Sequence, residues 1–526
     1  MISCKSWRKA AVLAAALVLG TVPGIGQQSG GSDAAALRER VRAYRAAHEK
    51  EIVRELSDLV ALRNVTGKSS EARADIERNA DRIVELLQRR GLQARKLTAG
   101  DSPPAVYGEL RSPGATHAIV FYAHYDGQPA EVADWGRDPW EPVLRAGATQ
   151  ESPEVDLDAA PKLDSEWRLF GRSASDDKGP IVAMLAALDA LRAAGATPSV
   201  NLKFFFEGEE EAGSPHLTDI LRAHHDLLAA DLWILGDGPV HPSRRMQVVF
   251  GARGVTEVEM TVYGPARALH SGHYGNWAPN PAALLVELLA GLRAPNGDIR
   301  IPGFYDDVRP LTESEKQAAA AMPPVEEDLR RELGLAWTEG DGGRLQDLIM
   351  RPALNLRGLE AAQVGRQART AVPTEASASI DFRLVPDQTP EKVRERLEAH
   401  LRQQGFYLVS EEPSMETRRI HARIVRLAWD LGYPGARTSM DLPASRAVLQ
   451  AVEETAGPSL LRVPMLGGSI PMYLFTETLK VPVVIVPIVN HDNSQHAAHE
   501  NLRLQNLWDG IDIYVNLFAR LGVVWR

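Results

Sequence analysis

Two hydrophobic rhythms divide this chain. Short, mainly apolar runs at Ala118 to Ala123, Leu202 to Phe206, Leu232 to Leu235 and Val483 to Val486 are separated by stretches with helical spacing. Strands buried on both faces read as near-continuous apolar runs, so these four predict a mostly parallel sheet with helices on both faces. Between Asp177 and Gly195 the residues Ile181, Met184, Leu185, Leu188 and Leu191 recur at helical spacing, with Gly195 as the stop. Ser214-Pro215 predicts a second helix start.

From about Gly251 to Glu412 the rhythm changes to period two, first in Val258, Met260 and Val262, then in Ala376, Ala378, Ile380, Phe382 and Leu384. This predicts a separate antiparallel sheet with one open polar face. Asn280-Pro281 and Thr389-Pro390 start helices, the second carrying Val393, Leu397 and Leu401, that cover the other face. The parallel-sheet pattern then resumes. With 526 residues, more than one hydrophobic core usually serves, the expected organisation is an α/β catalytic domain in two parts, 27–250 and 413–526. An α+β lid and dimerisation domain, 251–412, interrupts it. Residues 146–166 are acidic, contain Pro and lack periodicity, which predicts a surface loop.

The N-terminus changes the picture of where the protein works. Residues 1–26 combine Lys5, Arg8 and Lys9 with an apolar stretch from Ala10 to Val22 and the small residues Gly24 and Gly26. That is the pattern of a cleaved export signal, and the apolar stretch is shorter than the ~20 residues needed to span a bilayer. An exported protein, periplasmic or secreted, with no stable membrane anchor after cleavage is expected. The one cysteine, Cys4, lies in this leader, so the mature chain can hold metals only through N and O ligands. Removing three basic and no acidic residues takes the formal charge from −10 to −13, which argues against nucleic acid as a partner.

The candidate chemistry clusters where the apolar runs end. His124-Tyr125-Asp126, Asp176-Asp177-Lys178-Gly179, Glu209-Glu210-Glu211, Asp237 and the segment from His491 to Glu500 all follow a strand or stand at a strand-to-helix turn. Ligands of open parallel sheets bind beyond the carboxyl ends of the strands, so these segments can converge. Each has a plainer reading by itself: a polar strand end for His124-x-Asp126, a helix cap for Asp176-Asp177, a solvated charge run for the glutamates. Together they supply the imidazoles and carboxylates of a two-zinc hydrolase, and the carboxylates after Phe204-Phe205-Phe206 repel one another unless cations neutralise them.

These residues resemble a known family, the co-catalytic zinc peptidases that include aminoacylase, carboxypeptidase G, peptidase T and the carnosinase-like dipeptidases. The likeness spans nearly the whole mature chain and is greatest to the nonspecific dipeptidase and carnosinase branch. It rests on Gly171-Arg172 before Ser175-Asp176-Asp177-Lys178-Gly179-Pro180, on Ile301-Pro302-Gly303-Phe304-Tyr305-Asp306, and on Gly467-Gly468-Ser469-Ile470-Pro471. The resemblance implies that Asp176 bridges two divalent ions, Zn2+ with Mn2+ or Co2+ as alternatives. His124 and Asp237 would complete one site, Glu211 and His496 the other. Three carboxylates and two divalent cations leave one positive charge, which a bridging hydroxide would neutralise. Glu210 would be the general base and Asp126 would orient His124.

The family's glutamate pair stands one residue before Gly-Ser, here Gly213-Ser214, which selects Glu210 and Glu211 over Glu209. Its late histidine precedes a glutamate by four residues, which selects His496, with His499 as the alternative. Leu269-His270-Ser271-Gly272 resembles the lid motif, whose histidine acts on the oxyanion, often from the partner of a homodimer. Arg383 matches the arginine that clamps the substrate's terminal carboxylate, with Gly468, Ser469 and Ile470 offering backbone N–H groups beside it. Thr370 matches another position close to substrate.

The chain departs from the family pattern in three places. Ser173 stands where Gly is usual, the 146–166 loop is long, and no Gly-His-Gly is visible around Pro413 to His421, which counts against a carnosine preference. The expected activity is that of an exopeptidase cleaving dipeptides or short peptides with a free C-terminal carboxylate. An N-acyl amino acid amidohydrolase of the same fold is the alternative, since the metal centre does not distinguish the two amides. A silent binding protein would show a damaged ligand set, and every expected ligand is present.

Overall fold

A computed structural model describes residues 29–526; the expected leader, residues 1–26, lies outside them. The larger sheet has eight strands in the order Gln93–Leu97, Ala105–Leu110, Asn201–Glu207, Ala118–His124, Leu232–Leu235, Val483–Ile485, Gln247–Val249, Leu461–Val463. The four expected apolar runs form its parallel centre. Antiparallel pairings flank it on both sides. Phe121, Phe204, Phe206 and Ile234 belong to a core shared with helices Lys178–Ala193, Pro443–Ala456 and Leu504–Val524, while Tyr122, Phe205, Trp233 and Ile485 face a second core with helices Leu217–Ala223 and Met472–Thr478. Helix Lys178–Ala193 is buried on nearly every face because it packs against both Glu49–Val60 and Leu504–Val524. The helix expected at Ser214-Pro215 begins at Leu217, three residues after Ser214, which itself has the left-handed conformation.

The second sheet runs Ala353–Glu360, Glu375–Leu384, Gly251–Tyr263, Ile424–Tyr433, Tyr407–Val409, antiparallel except for the last pair. Val258, Met260, Val262 and the alternate residues of Glu375–Leu384 point into one core with helices Pro281–Leu292 and Pro390–Gln403. Both helices carry the expected caps: Asn280 accepts from the Ala282 N–H and Thr389 from the Lys392 N–H.

Two features depart from the expected layout. Strand Ile424–Tyr433 belongs to the second sheet, so that sheet extends past residue 412. Strand Gly251–Tyr263 also takes a further partner at the Arg383 end, where Leu466–Ser469 pairs with Ala252 and Arg253. Gln247–Val249 of the larger sheet leads almost directly into Gly251–Tyr263, so this end of the second sheet adjoins the larger one.

A small three-stranded sheet, Asn501–Arg503, Arg168–Phe170 and Val143–Arg145, draws the late acidic and histidine segment against the Asp176 loop. Residues 146–166 form a largely exposed loop between two of its strands. No helix among the described residues is long and apolar enough to cross a membrane.

Candidate active site

His124 closes its strand and is almost wholly buried, and its imidazole reaches into the turn before helix Lys178–Ala193. Its Nε2 lies 2.9 Å from Asp176 Oδ1, while the other carboxylate oxygen of Asp176 is 3.1 Å from His496 Nε2. His496 Nε2 is also 3.3 Å from Glu211 Oε2. Of the three late histidines, His496 is the one that reaches Asp176; the His499 ring packs near Trp135, and the buried Nδ1 of His491 has no partner.

Asp177 holds the N-cap position of its helix but makes no side-chain cap; its carboxylate accepts from the His124 N–H at 3.3 Å. Two overlapping groups of possible ligand atoms result, His124–Asp176–Glu211 and His124–Asp177–Asp237, each within 4.8 Å of one another. Asp237 therefore groups with His124 and Asp177 in this structure, whereas the resemblance put Asp176 in the place of Asp177. Asp177 Oδ1 is buried without a partner.

The three consecutive glutamates separate because the chain turns there in a short 3-10 helix, Glu210–Ala212. Glu209 turns away and accepts from the His216 N–H at 2.8 Å, at the start of helix Leu217–Ala223. Glu210 and Glu211 stay at the cluster because the buried Asp126 carboxylate accepts both their N–H groups, each at 3.1 Å. Asp126 also meets His124: its carbonyl oxygen is 3.2 Å from Nδ1 and its Oδ1 is 3.5 Å from it. One residue thus orients the imidazole, through its carbonyl oxygen, and fixes the glutamate pair, through its carboxylate.

Burial, then the charge of Asp176, push Glu211 up to about 7 and Asp237 up to about 6. Burial and the neighbouring carboxylates hold Glu210 well above the usual range against the pull of His124. Burial opposes ionisation of Asp176 too, but hydrogen bonds from His124 and His496 outweigh it and hold Asp176 ionised. Carboxylates this close ionise together only with compensating positive charge, and the all-N/O donor set suits Zn2+, Mn2+ or Co2+. The residues present fit a pair of divalent cations on both counts.

Sequence reasoning used Glu500 only as a spacing marker. Its buried carboxylate accepts from Arg172 Nη1 at 2.9 Å, from the N–H groups of Ser173, Ser175 and Asp176 at 2.9, 3.0 and 2.9 Å, and from Ser175 Oγ at 2.9 Å. It pins the loop that presents Asp176. Ser173 has φ +65°, a left-handed conformation that suits Gly, and its Oγ accepts from Asn64 Nδ2 at 2.9 Å. Gln495 and Gln128 also went unread; they donate to Asp176 Oδ2 at 2.9 Å and Glu211 Oε2 at 2.8 Å. Amides carry no ligand pattern in sequence that would have marked them.

Arg383 is half-buried; its Nε donates to Asp381 at 2.9 Å and its Nη1 to Ser469 Oγ at 2.9 Å. Gly468 and Ile470 flank that serine, and Ile470 packs on the core of the larger sheet. His270 and Thr370 come together in a short ladder outside the second sheet: Leu269–His270 pairs with Ala371–Val372, and the Ser271 N–H donates to the Thr370 carbonyl at 3.1 Å. Both are exposed, and His270 Nδ1 accepts from the Gly272 N–H at 3.1 Å.

With the site in view, comparison with known proteins is decisive for the family. A sequence profile described as "Peptidase family M20/M25/M40" matches residues 120–520, a span that includes every residue of the cluster. The chain belongs to that family. The Cys-Gly metallodipeptidase dug1 of Schizosaccharomyces pombe is 28% identical over 491 residues, covering 90% of this chain and 96% of its own length. The Beta-Ala-His dipeptidase of Homo sapiens is 28% identical over 537 residues, covering 98% and 99%. Among solved structures, the M20 family metallo-carboxypeptidase Sso-CP2 of Sulfolobus solfataricus superimposes with a TM-score of 0.70 at 27% identity, covering 90% of this chain and 99% of that one. The family resemblance and the α/β fold expected from sequence both hold, and the chain is a hydrolase acting on peptide bonds.

Proposed function

We propose that this M20 peptidase is an exported metallo-dipeptidase, cleaving dipeptides or short peptides with a free C-terminal carboxylate with the aid of two divalent cations. The observation that carries the reading is the buried Asp176 carboxylate, met on one oxygen by His124 and on the other by His496. A carboxylate approached by two imidazoles from opposite oxygens is what two neighbouring cation sites require of a shared ligand. His124, Asp176, Glu211, Asp237 and His496 would hold the metals, with Asp177 a further candidate beside Asp237. When bound, such a pair supplies Lewis-acid polarisation of the scissile carbonyl and acidifies water.

The rest of the work falls to this chain's own groups. Glu210, fixed by Asp126 but outside both donor groups, takes a proton from water and returns it to the leaving amine; its raised affinity for protons suits that exchange. Arg383, already aligned by Asp381 and Ser469, binds the C-terminal carboxylate with the Gly468 to Ile470 backbone beside it. His270 and Thr370 would reach the substrate from a partner subunit. A homodimer through the second domain is supported by exposed Leu356 and Leu359 on the edge strand Ala353–Glu360, with Trp277 and Val364 also exposed. Sedimentation of an active monomer would end that reading.

Glu210→Gln is expected to keep both metals by elemental analysis and to lower kcat by ~10²–10⁴ on a dipeptide panel. Near-normal turnover would remove Glu210 as the base, and a chain that takes up no Zn2+ or Mn2+ and cleaves no dipeptide would end the proposal. Export is tested separately, by the N-terminal residue of the mature protein recovered outside the cytoplasm.

A further inference from the structure

The end of strand Ile424–Tyr433 carries an aromatic residue for which neither the metal cluster nor the carboxylate clamp accounts. The ladder breaks register between Asp430 and Tyr433, so Tyr433 pairs with Val255 after a bulge. On the opposite side of strand Gly251–Tyr263, Val255 pairs with Arg383. Paired residues across an antiparallel ladder project from the same face, so Tyr433, Val255 and Arg383 form one row. The chain comes very close here: a Cβ on Gly254 would meet the Tyr433 carbonyl oxygen at 2.3 Å, and Gly432 has φ +50°. These glycines let Tyr433 sit at this place.

Its ring stacks on that of Tyr473, with centroids 5.3 Å apart and planes 12° apart. Tyr473 follows the Gly467 to Pro471 segment on helix Met472–Thr478, which buried Met472 and Phe475 anchor to the larger sheet. Both tyrosines are only half-buried. The Tyr433 phenol is pushed up to about 12, first by burial and next by the negative charge of Glu210, while Arg383 pulls it down. It lies within electrostatic reach of the group we assign to the scissile bond and of the group we assign to the terminal carboxylate. The part of a dipeptide between those two points is its C-terminal residue.

We propose that Tyr433, backed by Tyr473, is the wall against which the substrate's C-terminal residue packs, favouring aromatic or aliphatic side chains there over glycine. The inference rests on the dipeptidase reading above and adds a specificity determinant to it. A stacked, anchored ring offers a flat apolar face at little entropic cost, whereas glycine presents nothing to fill it.

The test compares Ala-Phe with Ala-Gly in the metal-loaded enzyme, for wild type, Tyr433→Ala, Tyr433→Phe and Tyr473→Ala. In Tyr433→Ala the loss of kcat/KM for Ala-Phe is expected to exceed that for Ala-Gly by about 10-fold, mainly through KM. Tyr433→Phe should recover most of that difference, and Tyr473→Ala should show a smaller loss of the same kind. Calorimetric binding of free L-phenylalanine should weaken in Tyr433→Ala and recover in Tyr433→Phe. That readout stands even if wild type cleaves neither dipeptide, an outcome that overturns the dipeptidase reading and not the wall. Equal losses on both dipeptides, unchanged L-phenylalanine binding, or a change confined to N-terminal preference, read as Phe-Ala against Gly-Ala, would overturn the wall.

Discussion

Glu500→Gln isolates the support of the metal centre from its ligands. The substitution preserves shape and one acceptor oxygen. If that oxygen takes the Oε1 position, it still receives the Ser175 and Asp176 N–H groups and Ser175 Oγ. The new amide NH2 then faces Arg172 Nη1 and the Ser173 N–H, two donors that formerly bound Oε2. Five donors converge on Glu500, so it must be a carboxylate, although burial and Asp176 push its protonation upward against Arg172. Arg172 keeps its bond to the Ala497 carbonyl at 3.2 Å and its place over the Trp135 ring, but loses its counter-charge in a site where its side chain is 3% exposed.

Removing one partner of a buried ion pair costs ~3–5 kcal/mol. At ~2.1 cal/mol/K per residue, a unit of roughly 500 residues unfolds with ~1 kcal/mol/K, so the melting temperature should fall by ~3–5 °C if the chain melts as one unit, and by about twice that if the metal-binding domain melts alone. Because Glu500 positions Asp176 from behind, Zn2+ affinity should also fall ~10–100-fold. Calorimetry with and without Zn2+, together with competition against a chelator of known affinity, reads both quantities. A melting temperature within about 1 °C of wild type and unaltered Zn2+ affinity would refute the claim that this carboxylate holds the Asp176 loop.

Two further perturbations test other parts of the site. Arg383→Ala should raise KM by about 100-fold for dipeptides with a free C-terminus and far less for C-terminally amidated ones; equal losses on both would exclude the clamp role. In metal-stripped protein, Glu211 at about 7 and Asp237 at about 6 are raised above their unfolded values, so their contribution to stability is full below about pH 4 and is lost as pH rises through 6 and 7. The gain in melting temperature on adding Zn2+ should therefore grow between about pH 5 and 8, and a gain independent of pH would contradict the carboxylate crowding described here.

The sheet centre was legible because four apolar runs, each buried on both faces, leave little other choice of structure. The chemistry became legible through them: strand ends must gather at one sheet edge, and His124 is the last residue of one such strand while Glu209 to Glu211 and Asp237 lie just past two others. What sequence could not supply was discrimination among like residues. Glu209, Glu210 and Glu211 carry the same side chain, and only the 3-10 turn and the demands of Asp126 and His216 assign them. Asp176 and Asp177 present the same difficulty, since the turn gives each a different neighbour: Asp176 faces His496, and Asp177 faces the His124 backbone and Asp237.

Strand Ile424–Tyr433 was hidden for another reason. Its inward residues Val425 and Leu427 alternate as a strand should, but which sheet a strand joins is decided by pairing with Gly251–Tyr263, more than a hundred and fifty residues earlier. Local pattern specifies that a strand exists and which face is apolar; the partner comes from tertiary packing. That pairing also has a functional consequence. Tyr433 reaches the row of Arg383 only because its strand lies in the second sheet and bulges at its last residues. A register shift of one residue would turn the ring to the other face, which is why a feature invisible in the local sequence can still set what the enzyme accepts.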